Sequence, residues 1–177
     1  MGDSRRVFFA LWPDAVTAAR IDQAGKQLHA LCGGRQVRRN MLHMTLLFLG
    51  NIPAERIDDL RQAAARVAGT AFTVRLDRWA CWRHKQLAWA GCSEPPLHLL
   101  TLVGQLAERL AEEGLPLELR DFLAHVTLLR KSRSVPLPEF EPFNWTIDDF
   151  VLVESKLSPQ GSHYSIIGRW PLTPDPD

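Results

Sequence analysis

Two histidines in this sequence each stand two residues before a threonine and three before a leucine: His43-Met44-Thr45-Leu46 and His125-Val126-Thr127-Leu128. An imidazole titrates near neutrality. Of two such rings, one can be neutral and accept a proton while the other is protonated and donates one. A hydroxyl two residues along can hydrogen-bond an anionic oxygen and fix its orientation. With six His, eight Thr and 26 Leu in 177 residues, a His-x-Thr-Leu string is expected by chance only ~0.04 times, so two copies form a signal that one copy would not.

Each copy lies in an apolar run, 43–50 (HMTLLFLG) and 124–130 (AHVTLLR), and each run reads as a buried strand. Side chains alternate along a strand, so His43 shares a face with Thr45, and His125 with Thr127. Alternation puts Met44, Leu46 and Phe48 on the other face, which favours core packing for Phe48, with base stacking as the lesser alternative. It also puts Arg130 opposite His125, unless the strand end twists or bulges and lets the guanidinium reach round. Two imidazole–hydroxyl pairs facing each other suit in-line displacement at phosphorus in a cyclic phosphodiester. One His would activate water and the other would protonate the departing ribose oxygen, so the chemistry needs no metal, cofactor or covalent intermediate.

The rest of the chain must position these two strands. Arg5–Leu11 reads as an opening strand stopped by Trp12-Pro13. Asp14 can cap a helix to about Leu31, with Val16, Ala19, Ile21, Ala24, Leu28 and Leu31 as its apolar stripe, ended by Gly33-Gly34. A basic loop holding Arg35, Arg38 and Arg39 leads into the first His strand and could track a nucleic-acid backbone. A second helix is expected over about Ala54–Ala68 and a strand over Phe72–Leu76. Next comes a hairpin, Arg78–Arg83 with Leu87–Gly91, whose Trp82 and Trp89 are expected to pack on their own sheet. A third helix, about Leu97–Glu113, precedes a strand-like approach, Leu117–Phe122, to the second His strand. Residues 131–142 read as a surface loop, and Ile147–Ser155 and His163–Trp170 as the last strands. This order implies an α+β fold of two pseudo-symmetric lobes within one domain, residues 1–177. Each lobe is an antiparallel sheet with flanking helices, and each brings one His-x-Thr motif to a central cleft.

Composition narrows the class further. Hydrophobic residues make up 46% and charged residues 23% of the chain, with a net charge of +1, as in a soluble globular protein. No apolar stretch reaches membrane-span length, and the N-terminus lacks a signal-peptide layout. Cys32, Cys81 and Cys92 show no ligand-like spacing, which fits buried, reduced thiols and a cytoplasmic location. A monomer is expected, since no helix shows an obvious exposed apolar face.

The two motifs resemble the signature elements of the 2H phosphoesterase superfamily. The closer likeness is to the bacterial and archaeal RNA 2',3'-cyclic phosphodiesterases, historically called 2'-5' RNA ligases. It extends to FFAL near the start, FLG after the first motif, Arg120-x-Phe122 before the second and Arg130 after it. The closing pattern, Ser155 to Gly161 and Tyr164 to Trp170-Pro171-Leu172, is similar too. One departure is Ala124, where the family usually has Pro before the second His. The resemblance implies hydrolysis of an RNA-terminal 2',3'-cyclic phosphate to a 2'-phosphomonoester, and reversible 2'-5' joining of tRNA halves. His43 and His125 would be the acid/base pair, with Thr45, Thr127, Arg130 and Tyr164 around the substrate. Competing readings are a small-nucleotide cyclic phosphodiesterase, a metal-dependent hydrolase with the histidines as ligands, and a non-catalytic RNA-binding protein. Against the metal reading, neither motif has a carboxylate or Cys at ligand spacing.

Overall fold

A computed structural model describes residues 2–115, 117 and 121–176. Its elements in chain order are β1 (Ser4–Leu11), α1 (Ala15–Cys32), β2 (Arg35–Gln36), β3 (Met44–Pro53), α2 (Ile57–Ala65), β4 (Phe72–Leu76), β5 (Arg78–Trp82) and β6 (Leu87–Gly91). Then follow α3 (Leu97–Glu112), β7 (His125–Arg130), β8 (Phe143–Ile147), β9 (Asp149–Ser158) and β10 (Gly161–Pro171). Short 3₁₀ turns at Arg39–Met41 and Ala54–Arg56 precede β3 and α2. Half of the expected approach strand, including Arg120, lies outside the described residues. Leu117, Asp121 and Phe122 have no regular structure. None of the described helices is long and apolar enough to cross a membrane.

The architecture is α+β, with one motif strand in each of two antiparallel four-stranded sheets. The first has the order β10-β9-β1-β3 and the second β2-β7-β6-β5, while β4 and β8 form a separate pair. The lobes are not successive halves of the chain. The C-terminal β9 and β10 complete the sheet that holds the first motif, and β2, from the first quarter of the chain, edges the sheet that holds the second. Helices cross over likewise: α1 packs on β7, whereas α3 packs on β3 and α2. One continuous buried core runs between them, joining Phe9, Leu11 and Met44 of the first sheet to Ala88, Val126 and Leu128 of the second. Because each lobe contains chain from both halves, neither can shift without disturbing that shared core.

Local chemistry explains most element ends. The Asp14 carboxylate accepts from Thr17 N at 2.7 Å, and the helix stops at Gly33, whose N–H donates to His29 O. The buried face of α1 is Ala18, Ile21, Ala24, Leu28 and Cys32. It keeps Ile21, Ala24 and Leu28 of the expected stripe and leaves Val16 and Leu31 exposed, on a helix that packs on β7. Two of the three cysteines, Cys32 and Cys92, are buried, and Cys81 is half-buried. At the second motif, Cys92 N donates to Ala124 O at 3.1 Å, so a main-chain bond fixes the start of β7 where a proline ring would otherwise restrict it.

Gly34 joins α1 to β2 with φ of 83°, and a Cβ there would lie 2.5 Å from Arg130 O and 2.9 Å from Ser132 N. Both obstacles are backbone, and neither can swing away. Gly34→Ala should therefore cost about 3 kcal/mol or more in urea unfolding, and a loss under ~0.5 kcal/mol would contradict this packing.

Candidate functional site

The two motif strands lie side by side across a cleft of about 660 Å³. His43 and Thr45 line it from one sheet, and His125 and Thr127 from the other. The intervening Met44 and Val126 are fully buried on the opposite faces. Each imidazole is fixed in the same way. His43 Nδ1 lies 2.8 Å from Met41 O, and His125 Nδ1 lies 2.8 Å from Leu123 O. A main-chain carbonyl can only accept, so each Nδ1 carries the proton and each Nε2 is left as the atom free to exchange one.

Both strands then break their alternation at the motif leucine. Along β3, Thr45 stands opposite Ala10 while Leu47 stands opposite the neighbouring Phe9, so Leu46 is an extra residue. Along β7, Thr127 stands opposite Trp89 while Leu129 stands opposite Ala88, so Leu128 is the extra residue. A bulge of one residue reverses side-chain parity beyond it. Arg130 is thereby turned onto the His125 face and lines the cleft. Phe48 is turned onto the His43 face, and here the simple alternation fails. Phe48 is not a core residue; it is 46% exposed and lines the cleft, with the Arg6 guanidinium 4.6 Å from its ring centroid.

Aromatic rings enclose both histidines. Trp12 stacks on His43 at 5.1 Å and 4°, Phe8 lies at 4.9 Å, and Tyr164 stands edge-on at 5.4 Å. Trp82 and Trp89 stand against His125 at 5.0 and 5.9 Å. Trp89 is buried, in keeping with packing on its own sheet, and both tryptophans serve as walls for His125. Tyr164 borders the cleft as well as His43. Trp12, Phe8 and Arg6 are cleft or histidine-contacting residues that the motifs do not mark. Their shared parity with Ala10 along the opening strand is the one sequence signal for them, and Trp12-Pro13 masks it by reading as a strand stop.

Of the basic loop, Arg35 and Arg38 line the cleft, whereas Arg39 turns away to pair with Asp22. The cleft thus carries guanidinium groups from Arg6, Arg35, Arg38 and Arg130, and among the described residues no carboxylate lines it. This environment disfavours imidazolium. Burial, assisted by the nearby Arg130 and His125, lowers the His43 pKa from its ordinary 6.5 to about 4, against the opposing pull of the Met41 carbonyl. Burial also lowers His125, with Lys85 adding to the effect and the Leu123 carbonyl opposing it. Two neutral, oriented bases among fixed cations can bind an anion and shuttle protons at it.

Comparison with known proteins gives a consistent picture. The family described as LigT like Phosphoesterase matches residues 11–89. The RNA 2',3'-cyclic phosphodiesterase of Escherichia coli (strain K12) is 32% identical over 176 residues, covering 98% of this chain and 99% of that protein. The protein of the same name from Thermus thermophilus is 30% identical, over 94% of this chain and 90% of its own. The crystal structure of E. coli LigT complexed with 3'-AMP superposes with a TM-score of 0.87 at 30% identity, covering 97% of this chain and 99% of that one.

The depressed His43 pKa has a consequence for stability. Between pH 6.5 and about 4 the unfolded chain takes a proton on His43 that the folded chain refuses. Its contribution is complete above the unfolded value and is lost as pH falls. Urea unfolding across that range should show His43→Asn losing less stability than wild type, by on the order of 3 kcal/mol, and parallel curves would contradict the assignment.

Proposed function

The chain belongs to the LigT-like phosphoesterases of the 2H superfamily, and from that premise we propose that it hydrolyses RNA-terminal 2',3'-cyclic phosphates to 2'-phosphomonoesters. The observation that carries this reading is the pair of Nδ1-anchored imidazoles, each with a threonine hydroxyl on its own face, opening on one cationic cleft. The names of the related proteins supply the substrate class.

Water enters in line with the P–O3' bond. One neutral imidazole of the His43–His125 pair takes its proton at Nε2 as the new P–O bond forms. The other is drawn into its imidazolium form by the anionic substrate; as P–O3' breaks, the leaving oxygen takes its Nε2 proton, and the phosphate stays on O2'. Thr45, Thr127 and Arg130 hold the non-bridging oxygens, where negative charge grows. The stacked Trp12 ring favours positive charge on His43. A 5'-hydroxyl in place of water would give a 2'-5' linkage with the same groups, which is how two tRNA halves would be joined and, in reverse, separated.

Phe48, capped by Arg6, offers a ring on which the terminal base stacks, and Arg35 and Arg38 continue the cationic lining toward the preceding phosphates. This open, arginine-lined cleft supports RNA over a small cyclic nucleotide as substrate.

The test is an RNA ending in a 2',3'-cyclic phosphate, incubated with enzyme in EDTA. Wild type should keep its activity, and His43→Ala and His125→Ala should each lose about 10²–10⁴-fold in kcat/KM. Activity lost in EDTA and restored by a divalent ion would overturn the mechanism. Phe48→Ala should raise KM about tenfold with kcat kept, as loss of one stacking contact predicts, and an unchanged KM would remove Phe48 from the substrate site.

A further inference from the structure

We propose that Asp22, a buried carboxylate on α1, is a positioning residue for His43 that acts through the turn carrying the Met41 carbonyl. The inference rests on the reading of His43 as one half of the acid/base pair. Asp22 is 7% exposed, a costly place for a charge unless its oxygens are bonded. They are. Gln36 Nε2 donates to Oδ1 at 3.1 Å and to the Asp22 main-chain oxygen at 3.2 Å. Arg39 donates to Oδ2 from Nη2 at 3.1 Å and from Nε at 3.4 Å, and Lys26 Nζ lies 3.5 Å from the same oxygen.

These partners matter because of where they sit. Arg39 opens the 3₁₀ turn Arg39–Met41, which has no side-chain cap of its own. Met41 closes that turn, and its carbonyl holds His43 Nδ1. Gln36 belongs to β2, where it stands opposite Leu129 of β7, next to Arg130. One carboxylate therefore clamps both ends of a loop that orients His43 and bears the cleft arginines Arg35 and Arg38.

A second, independent feature marks the same dock. Gly25 sits inside α1, where glycine costs about 1 kcal/mol relative to alanine. A Cβ at Gly25 would come within 3.2 Å of Gln36 Nε2. The helix thus departs from what stabilises it twice, with a buried charge and an interior glycine, and both departures face one loop. Such local conflicts concentrate where a site is being held.

Two variants test this, Asp22→Asn and Arg39→Gln; the second alters a largely exposed side chain and keeps the test available if the first folds poorly. Long-range ¹H–¹⁵N spectra read the His43 tautomer without substrate, and kcat and KM are measured on cyclic-phosphate RNA. Wild type should show the Nδ1–H tautomer alone. Each variant should show a tautomer mixture and a kcat lowered about tenfold, with KM within about twofold. An unchanged tautomer in both variants overturns the proposal, whatever the kinetics do, and so does a rise in KM alone. If wild type does not turn over this RNA while the variants still mix tautomers, the substrate assignment fails and the positioning role stands.

Discussion

A strand that alternates strictly cannot give this cleft all the groups that border it. After a histidine and a threonine on one face, the next cleft-facing position would be Leu47 in the first strand and Leu129 in the second. An extra residue at the motif leucine of each strand, Leu46 and Leu128, reverses the parity and presents Phe48 and Arg130 instead; β3 carries a second extra residue, Leu49, beyond Phe48. The two lobes use the same device at the same place in the motif, and what they present has diverged: an aromatic ring on one side, a guanidinium on the other. The threonine comes before the bulge and the leucine is the bulge, so the His–Thr pair and the change of parity after it are both set within four consecutive residues.

The bulges work only because the strands around them are held. Interleaving of the chain gives both sheets segments from both halves, and one core spans them. Within the cleft the electrostatics follow from burial among cations. Burial first of all, with Arg130 beside His43 and Lys85 beside His125 adding to it, disfavours the imidazolium forms, and among the described residues no carboxylate lines the cleft to oppose this. Under the proposed function a bound phosphate would supply the negative charge that makes one imidazolium favourable, so that substrate binding and protonation of the acid would be one event.

Much of this was legible in the sequence, for identifiable reasons. The repeated tetrapeptide, the helix cap at Asp14 and the stop at Gly33 are local signals, and they placed the strands and α1 closely. The pairing of His43 with Thr45 and of His125 with Thr127 follows from strand periodicity over two residues. That periodicity misassigned Phe48, because a bulge formed by leucine among leucines leaves no mark in composition; only the register against β1 reveals it. Of the α1 stripe, Ile21, Ala24 and Leu28 are buried as expected, while Val16 and Leu31 are exposed, since the partner of a helix is a matter of topology and not of its own sequence. The separation of β8 from β9, and the two-residue β2, also depend on pairing across long stretches of chain. Arg39 looked equivalent to Arg35 and Arg38 until the buried Asp22 beneath it was seen.

In-line displacement by the two histidines is tested by a crystal structure with a nucleoside 2',3'-cyclic vanadate, which mimics the trigonal-bipyramidal phosphorus. One apical oxygen should lie on His43 Nε2 and the other on His125 Nε2, each at about 2.6–3.2 Å, with Thr45, Thr127 and Arg130 on the equatorial oxygens. Both imidazoles on one oxygen, or either ring turned away from the vanadium centre, would contradict in-line displacement by this pair.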